Sequence, residues 1–320
     1  MPHQKVQGFP EKVRIVEVGP RDGLQAWPDP VSTETKIELI NRLINAGVPQ
    51  LEVTSFVAPR AVPQMADAAE VMAAIDRGKG AELTALVPNA RGAERAIAAG
   101  IDAMVFFLSA SESHNQANVN SSRDLSLVAA AEIARLGEQA GIPVYGAIAT
   151  AFGCPFEGNV PVADIVQIAK AYGDMGINKI SLGDTTGMAT PALVQERCRA
   201  LAQQVPDADV ALHFHNTRGV GLACAYAGLL EGITRYEASI AGIGGCPFAP
   251  GATGNICTED LVYMLQESGI ATGIDLENLI EVARWTENQL GRALPGQVMK
   301  AGPRLRLRDR QEVRSASGRA

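Results

Sequence analysis

The segment Leu212-His213-Phe214-His215-Asn216 carries two imidazoles two residues apart. On a strand, alternate side chains point the same way, so both rings would project to one side. Two neutral imidazoles so placed can share a metal ion, each through one ring nitrogen. Two hydrogen-bonded core histidines are the competing arrangement. The chain has four His, and the other two, His3 and His114, fall in stretches that read as flexible. Arg21-Asp22 closes an apolar segment near the N-terminus. Adjacent opposite charges there can be a surface turn pair, or a carboxylate ligand beside a fixed cation. A carboxylate oxygen with two imidazoles is a mixed N/O set that suits Mg²⁺ or Mn²⁺ and also admits zinc. The neighbouring guanidinium could stabilise negative charge developing on a substrate oxygen.

Gly242-Ile243-Gly244-Gly245-Cys246-Pro247-Phe248-Ala249-Pro250-Gly251 is a shaped loop by composition. A thiol displayed there can be a proton donor or nucleophile, or an incidental loop residue. Asn255, just beyond, could offer a carbonyl oxygen to a metal or cap the helix that follows. Gly153-Cys154-Pro155-Phe156-Glu157-Gly158 is a second Cys-Pro loop, with Cys154 read as structural. Glu52 would sit on a strand, where a carboxylate needs a partner, and Arg21 is the obvious one. Asp184 in Gly183-Asp184-Thr185-Thr186-Gly187 could orient a His or belong to a helix start.

The elements that must hold these residues are legible. Apolar, β-branched segments recur at Val13–Val18, Leu51–Phe56, Glu82–Val87, Ala103–Leu108, Val144–Thr150, Lys179–Leu182, Val210–His215 and Tyr236–Ala241. Helical periodicity fills the intervals, at Thr33–Ala46, Gln64–Asp76, Ala90–Ala99, Asp124–Ala140, Val162–Met175, Pro191–Gln204, Val220–Leu230 and Glu259–Gln266, as in Ile37, Ile40, Leu43 and Ile44. Several helices end at Gly, which accepts the left-handed conformation a helix terminus often needs. Eight strands alternating with eight helices is the count for an α/β fold of the (β/α)8 TIM-barrel class. A doubly wound open sheet is the alternative, but chemistry-bearing residues follow nearly every strand and do not gather at one switch point. A ninth helix, about Leu276–Leu290, is expected outside the barrel. Residues 1–300 are read as one catalytic barrel domain and 301–320 as a basic, partly disordered tail.

The chain of 320 residues is 47% apolar and 20% charged, which suits a well-packed core. Its net charge is −7, and residues 301–320 hold six Arg against Asp309 and Glu312, so the body is more acidic still. That argues against nucleic acid as a partner. No apolar run is long enough for a membrane helix, and the N-terminus has no secretory h-region, so a cytoplasmic protein is expected. Five Cys without a C-x-x-C pair argue against a disulfide framework or a structural zinc site.

Taken together the motifs resemble the hydroxymethylglutaryl-CoA lyase family, within a larger group of metal-dependent barrel lyases and Claisen-condensing enzymes. They are VGPRDGLQ (18–25), LEVTSFVAP (51–59), VPQMADA (62–68), SASESHN (109–115), GCPFEG (153–158), SLGDTTG (181–187), HFHNT (213–217) and GGCPFAPGATGN (244–255). The resemblance implies that Asp22, His213, His215 and Asn255 are divalent-metal ligands. Arg21 matches the arginine that steadies an enolate oxygen, and Cys246 the cysteine that donates a proton. Glu52 and Asp184 match acidic residues near the centre. The implied reaction is retro-Claisen cleavage of a 3-hydroxyacyl-CoA thioester, with Mg²⁺ or Mn²⁺ as cofactor and a homo-oligomer, a dimer, as the assembly. Pro28, Tyr145, Ala147, Asn216 and Arg218 depart from the family's usual Lys, Arg, Tyr, Asp and Tyr. They keep open a lyase for citramalyl-CoA or a longer 3-hydroxyglutaryl-CoA, and, further off, a condensing synthase or a non-catalytic binding protein. Arg218 is expected to replace the lost cations opposite an acyl carboxylate.

Overall fold

The computed structural model of the chain describes residues 8–245 and 254–307. Eight parallel strands close into a barrel in chain order: β1 (Arg14–Glu17), β2 (Gln50–Ser55), β3 (Glu82–Leu86), β4 (Ala103–Ser109), β5 (Val144–Ala149), β6 (Lys179–Asp184), β7 (Asp209–Phe214) and β8 (Arg235–Ala238), with β8 pairing back to β1. The (β/α)8 expectation holds. The helices around it are α1 (Thr33–Asn45), α2 (Ala68–Ala74), α3 (Ala90–Ala98), α4 (Glu112–Val119), α5 (Arg123–Ala140), α6 (Val162–Asp174), α7 (Pro191–Gln204), α8 (Gly221–Leu230), α9 (Thr258–Glu267), α10 (Leu276–Leu290) and α11 (Val298–Ala301). No helix among the described residues is long and apolar enough to cross a membrane.

Local chemistry sets the helix starts. Ser32, Asn89, Ser111, Ser122, Thr190 and Asp275 each accept a hydrogen bond from a backbone N–H in the first turn that follows. Outward-facing strand residues such as Leu182, Leu212 and Phe214 are buried against the helices, so the apolar side of each strand faces the helical layer. Inward positions are free to carry polar chemistry.

The barrel floor is closed by charge. Arg14, Gln50, Glu82, Lys179 and Arg235 each open their strand. Arg14 donates to Gln50 at 3.1 Å and to Glu82 at 2.7 Å. Tyr145 donates to Glu82 and accepts from Lys179 at 2.8 Å, with Lys179 over its ring at 4.4 Å. The phenol of Tyr145 is therefore committed to the floor and does not line an acyl pocket.

The elements depart from expectation in places. The stretch 64–76 splits into a 3₁₀ turn at Pro63–Met65 and α2. The helix α4 was not expected, because its hydrophobic residues are too few to give a period. The last strand ends at Ala238, where the Ser239 amide turns to bond Ile256 and the chain enters a 3₁₀ turn, Ile240–Gly242. Residues 308–320, most of the expected tail, lie outside the described residues. Before them Arg304 pairs with Glu267 at 2.8 Å.

Candidate active site

Arg21 and Asp22 ride on a single π-helical turn, Gly19–Gly23, at the C-terminal end of β1. The turn packs against the segment after β8 so closely that side chains are excluded. A Cβ on Gly23 would lie 2.5 Å from Ile243 Cγ1, and one on Gly19 would lie 2.6 Å from Glu17 Oε1. Arg21 reaches across to β2 and grips Glu52 with both faces of its fork, at 2.7 Å and 3.0 Å, while donating to Asp22 at 2.8 Å. The expected partnership of Glu52 and Arg21 is thus present. A register shift between Glu52 and Thr54 in the β2–β3 pairing sits beside it, as bulges often do where a side chain must be re-aimed. Burial works against both charges. For Arg21 the carboxylates of Glu52 and Asp22 outweigh it and hold the guanidinium protonated. For Asp22 it is outweighed by Arg21, His213 and His215, which keep the carboxyl well below its usual range.

His213 and His215 project to the same side of β7, ring centroids 5.2 Å apart. Both are buried. Glu237 on β8, in register with His213, lies 2.9 Å from its Nδ1. That contact fixes the ring and leaves Nε2 as the nitrogen free to bind a metal. Sequence reading passed over Glu237. Its signal is an acidic residue on a barrel strand beside the His strand. Burial lowers the affinity of His213 for a proton, but Glu237 together with Asp22 more than restores it. His215 has no such partner among the described residues, and burial with the neighbouring His213 pushes it down to about 4. Its Nε2 lies 3.9 Å from Asp22 Oδ2.

Asn255 joins this group through Nδ2, which donates to Asp22 Oδ2 at 2.8 Å and to the Ile243 carbonyl at 3.3 Å. It does not cap α9, whose flanking residue is Cys257. Its Oδ1 is buried without a hydrogen-bond partner among the described residues. An orphaned carbonyl oxygen is costly unless a donor or a cation meets it. Asp22, His213 and His215 offer ligand atoms within 4.8 Å of one another and form a group that could hold a metal ion. One anionic carboxylate, imidazole nitrogens and an unpaired amide oxygen make a donor set that fits a divalent cation.

Asp184 accepts from the Met188 and Ala189 amides at 2.6 Å and 2.9 Å. Burial pushes its carboxyl up to about 6. It shapes the loop after β6, and the carboxylate that contacts His213 is Glu237. Cys246 lies outside the described residues. Gly245, which precedes it, lines the same cavity as the His pair.

That cavity is about 520 Å³. Arg21, Asp22, Glu52, His213, His215 and Glu237 form one side. Val57, Val62, Phe107, Val119 and Ala147 are on its apolar wall, and Gln25, Asn89, Asn118 and Thr185 supply polar edges. His114 also lines it. Far from flexible, it is fully buried on α4 with Nδ1 2.6 Å from Ser109 Oγ. Arg218 is not in the cavity. It is exposed, and its guanidinium donates to the Thr186 and Gly187 carbonyls at 3.1 Å and 2.6 Å. The expectation that it meets an acyl carboxylate fails because those carbonyls hold it to the rim of the β6 loop. Arg218→Ala should therefore change KM for an acyl-CoA substrate by less than about threefold, measured by steady-state kinetics. A tenfold rise, about 1.4 kcal/mol, would return it to the substrate site.

The HMGL-like family model matches residues 12–285. The chain belongs to the HMGL-like family. Its relatives include hydroxymethylglutaryl-CoA lyase YngG of Bacillus subtilis, 45% identical over 287 residues, which span 90% of this chain and 96% of that one. The (R)-citramalyl-CoA lyase of Chloroflexus aurantiacus is 46% identical over 303 residues, 92% and 96% of the two chains. Among solved structures, an HMG-CoA lyase from Acinetobacter baumannii in complex with coenzyme A and 3-methylmalate superposes with a TM-score of 0.89 at 42% identity. It covers 96% of this chain and 99% of that one. Relatives at 44–46% identity over about nine tenths of the chain are carbon–carbon lyases, and this chain is one.

Proposed function

We propose that the protein cleaves 3-hydroxy-3-methylglutaryl-CoA to acetyl-CoA and acetoacetate, with Mg²⁺ or Mn²⁺ held by Asp22, His213, His215 and Asn255. The observation that carries this reading is the Asp22–His213–His215 group at the polar side of an acyl-sized cavity, bonded through Asp22 to the amide of Asn255, whose carbonyl oxygen is orphaned. When bound, a divalent ion supplies Lewis acidity that lowers the pKa of the substrate's tertiary alcohol.

The chain's own residues do the rest. The alcohol loses its proton to a base at the cluster, which would be a water there, Asp22 or an imidazole. The C2–C3 bond breaks, its electron pair leaving on the acetyl-CoA carbon as an enolate. Arg21, immobilised by Glu52 and Asp22, presents its guanidinium to the enolate oxygen. Cys246 delivers the proton to carbon. Gly245 at the cavity wall supports that assignment. Glu237 keeps His213 oriented, and the apolar wall excludes water from the enolate.

Arg21→Lys tests the enolate role. Lysine keeps the charge and loses the planar fork that binds Glu52. The charge it should stabilise exists mainly in the transition state, so kcat should fall about 10²–10³-fold, with Mn²⁺ binding nearly retained. Normal kcat with a raised KM would reassign Arg21 to ground-state binding.

A second reading is favoured by one observation. Arg21 is the only Lys or Arg among the described residues lining the cavity, and it is already paired. A site with no spare cation is a poor match for a carboxylate at the far end of the acyl chain. Citramalyl-CoA carries its carboxylate directly on the carbinol carbon instead, and the Chloroflexus citramalyl-CoA lyase is a relative. Comparing kcat/KM for the two thioesters separates the readings.

A further inference from the structure

Beneath the turn that carries Arg21 and Asp22 lies a carboxylate that the chemistry above does not use. Glu17, the last residue of β1, is fully buried. Its Oε1 accepts from the Gly19 amide at 2.8 Å and from the Ile240 amide at 2.8 Å. Its Oε2 accepts from the Thr258 hydroxyl at 2.6 Å. Three segments distant in sequence therefore meet on one carboxyl group. They are the start of the Arg21–Asp22 turn, the 3₁₀ turn at the root of the Gly-rich loop, and the first residue of α9. The 3₁₀ turn is itself held in an unusual shape, with Ala241 at φ +54°, a conformation costly for a residue with a Cβ.

We propose that Glu17 is a positioning residue that sets the register between the Asp22 turn and the Asn255 segment, and so sets the affinity for the divalent ion. The same seam continues upward. Asn255 Nδ2 bridges Asp22 Oδ2 at 2.8 Å and the Ile243 carbonyl at 3.3 Å, three residues beyond the Ile240 amide that Glu17 holds. Gly23 faces Ile243 at a distance no side chain would allow, and a Cβ on Gly19 would meet Ser239 and Ile240 at 3.0 and 3.1 Å, tight for any Cβ. With the turn and the loop root in direct contact, a slip at Glu17 cannot be absorbed locally and reaches the Asp22–Asn255 pair. Burying a carboxylate without a cation is expensive unless its oxygens are bonded, and here they accept three hydrogen bonds. This inference rests on the metal-site reading above.

Glu17→Met keeps the volume and deletes the acceptors, leaving the Gly19 and Ile240 amides unpaired. Mn²⁺ affinity, read by electron paramagnetic resonance on the full-length protein, should fall at least tenfold, and kcat should fall at least tenfold. Coenzyme A affinity, read by calorimetry, should stay within twofold, because the apolar wall does not rest on this seam. Glu17→Gln retains an acceptor for the two amides, and Thr258 can rotate to accept from its NH₂, so Mn²⁺ affinity should return to within threefold of the original. If Glu17→Met fails to fold, Thr258→Val removes one of the three bonds and should weaken Mn²⁺ at least threefold with coenzyme A affinity unchanged. Mn²⁺ affinity within twofold of the original protein in folded Glu17→Met, or in Thr258→Val, overturns the proposal. So does a parallel loss of Mn²⁺ and coenzyme A affinity, the mark of general loosening. Original protein that binds Mn²⁺ but cleaves no acyl-CoA overturns the functional reading alone, since the Mn²⁺ comparison needs no turnover.

Discussion

Replacing His213 by Ala should abolish turnover and sharply weaken Mn²⁺ binding while the barrel stays folded. Removing the ring takes away a candidate ligand nitrogen and also strands Glu237, whose partly buried carboxylate faces it. Loss of a single ligand from a four-donor set is expected to drop metal affinity by orders of magnitude. A rim position on β7 should cost the fold less than a core side chain. Circular dichroism checks the fold, and titration with Mn²⁺ checks the site. Undiminished Mn²⁺ affinity in a folded His213→Ala variant would remove His213 from the ligand set. Glu237→Gln offers an internal comparison, because it leaves the ring in place and alters only its orientation and proton. It should cost about 10–100-fold in metal affinity or activity, the usual range for a partner of a ligating His.

Cys246→Ala should lose about 10²–10⁴-fold in kcat with little change in KM, the usual range for one acid–base group. Cys246→Ser should recover little, since a hydroxyl is a far weaker acid than a thiol. The other four cysteines, Cys154, Cys198, Cys224 and Cys257, are buried. Burial pushes the thiols of Cys198 and Cys224 up to about 12, so they should react slowly with alkylating reagents. Rapid inactivation by a thiol reagent, with protection by substrate, should therefore report on Cys246. Near-normal activity in the Ala variant would make this cysteine an incidental loop residue.

The barrel was readable because each strand is a short apolar run and each interval carries a helical period, and neither depends on distant contacts. The candidate metal-binding group was readable for a related reason. Asp22, His213 and His215 lie at or just past the ends of β1 and β7, and a closed barrel brings strand ends together. Asn255 was marked by its residue type and reaches the group through a bridge to His215. What sequence did not reveal depends on register or on height along the barrel. Glu237 sits between Tyr236 and Ala238, and only the β7–β8 register places it opposite His213. Tyr145 and Ala147 share a face of β5 but differ in height by roughly 6.6 Å. One therefore meets Glu82 and Lys179 at the floor while the other lines the cavity. His114 looked flexible because Glu112–Val119 has no apolar stripe. Its burial comes from Ser109 and the cavity wall, which no local pattern encodes. Arg218 was the reverse case. Its charge suggested a substrate contact, and two backbone carbonyls claim it.

The most direct test of the central claim is the release of acetyl-CoA from 3-hydroxy-3-methylglutaryl-CoA by the metal-loaded protein, set against citramalyl-CoA under the same conditions. The account predicts metal-dependent turnover that chelation abolishes and Mg²⁺ or Mn²⁺ restores, with kcat/KM favouring 3-hydroxy-3-methylglutaryl-CoA. A preference of tenfold or more for citramalyl-CoA, about 1.4 kcal/mol in transition-state binding, would contradict the named substrate and leave the lyase chemistry standing. Absence of acetyl-CoA from both thioesters with either metal would contradict the account itself.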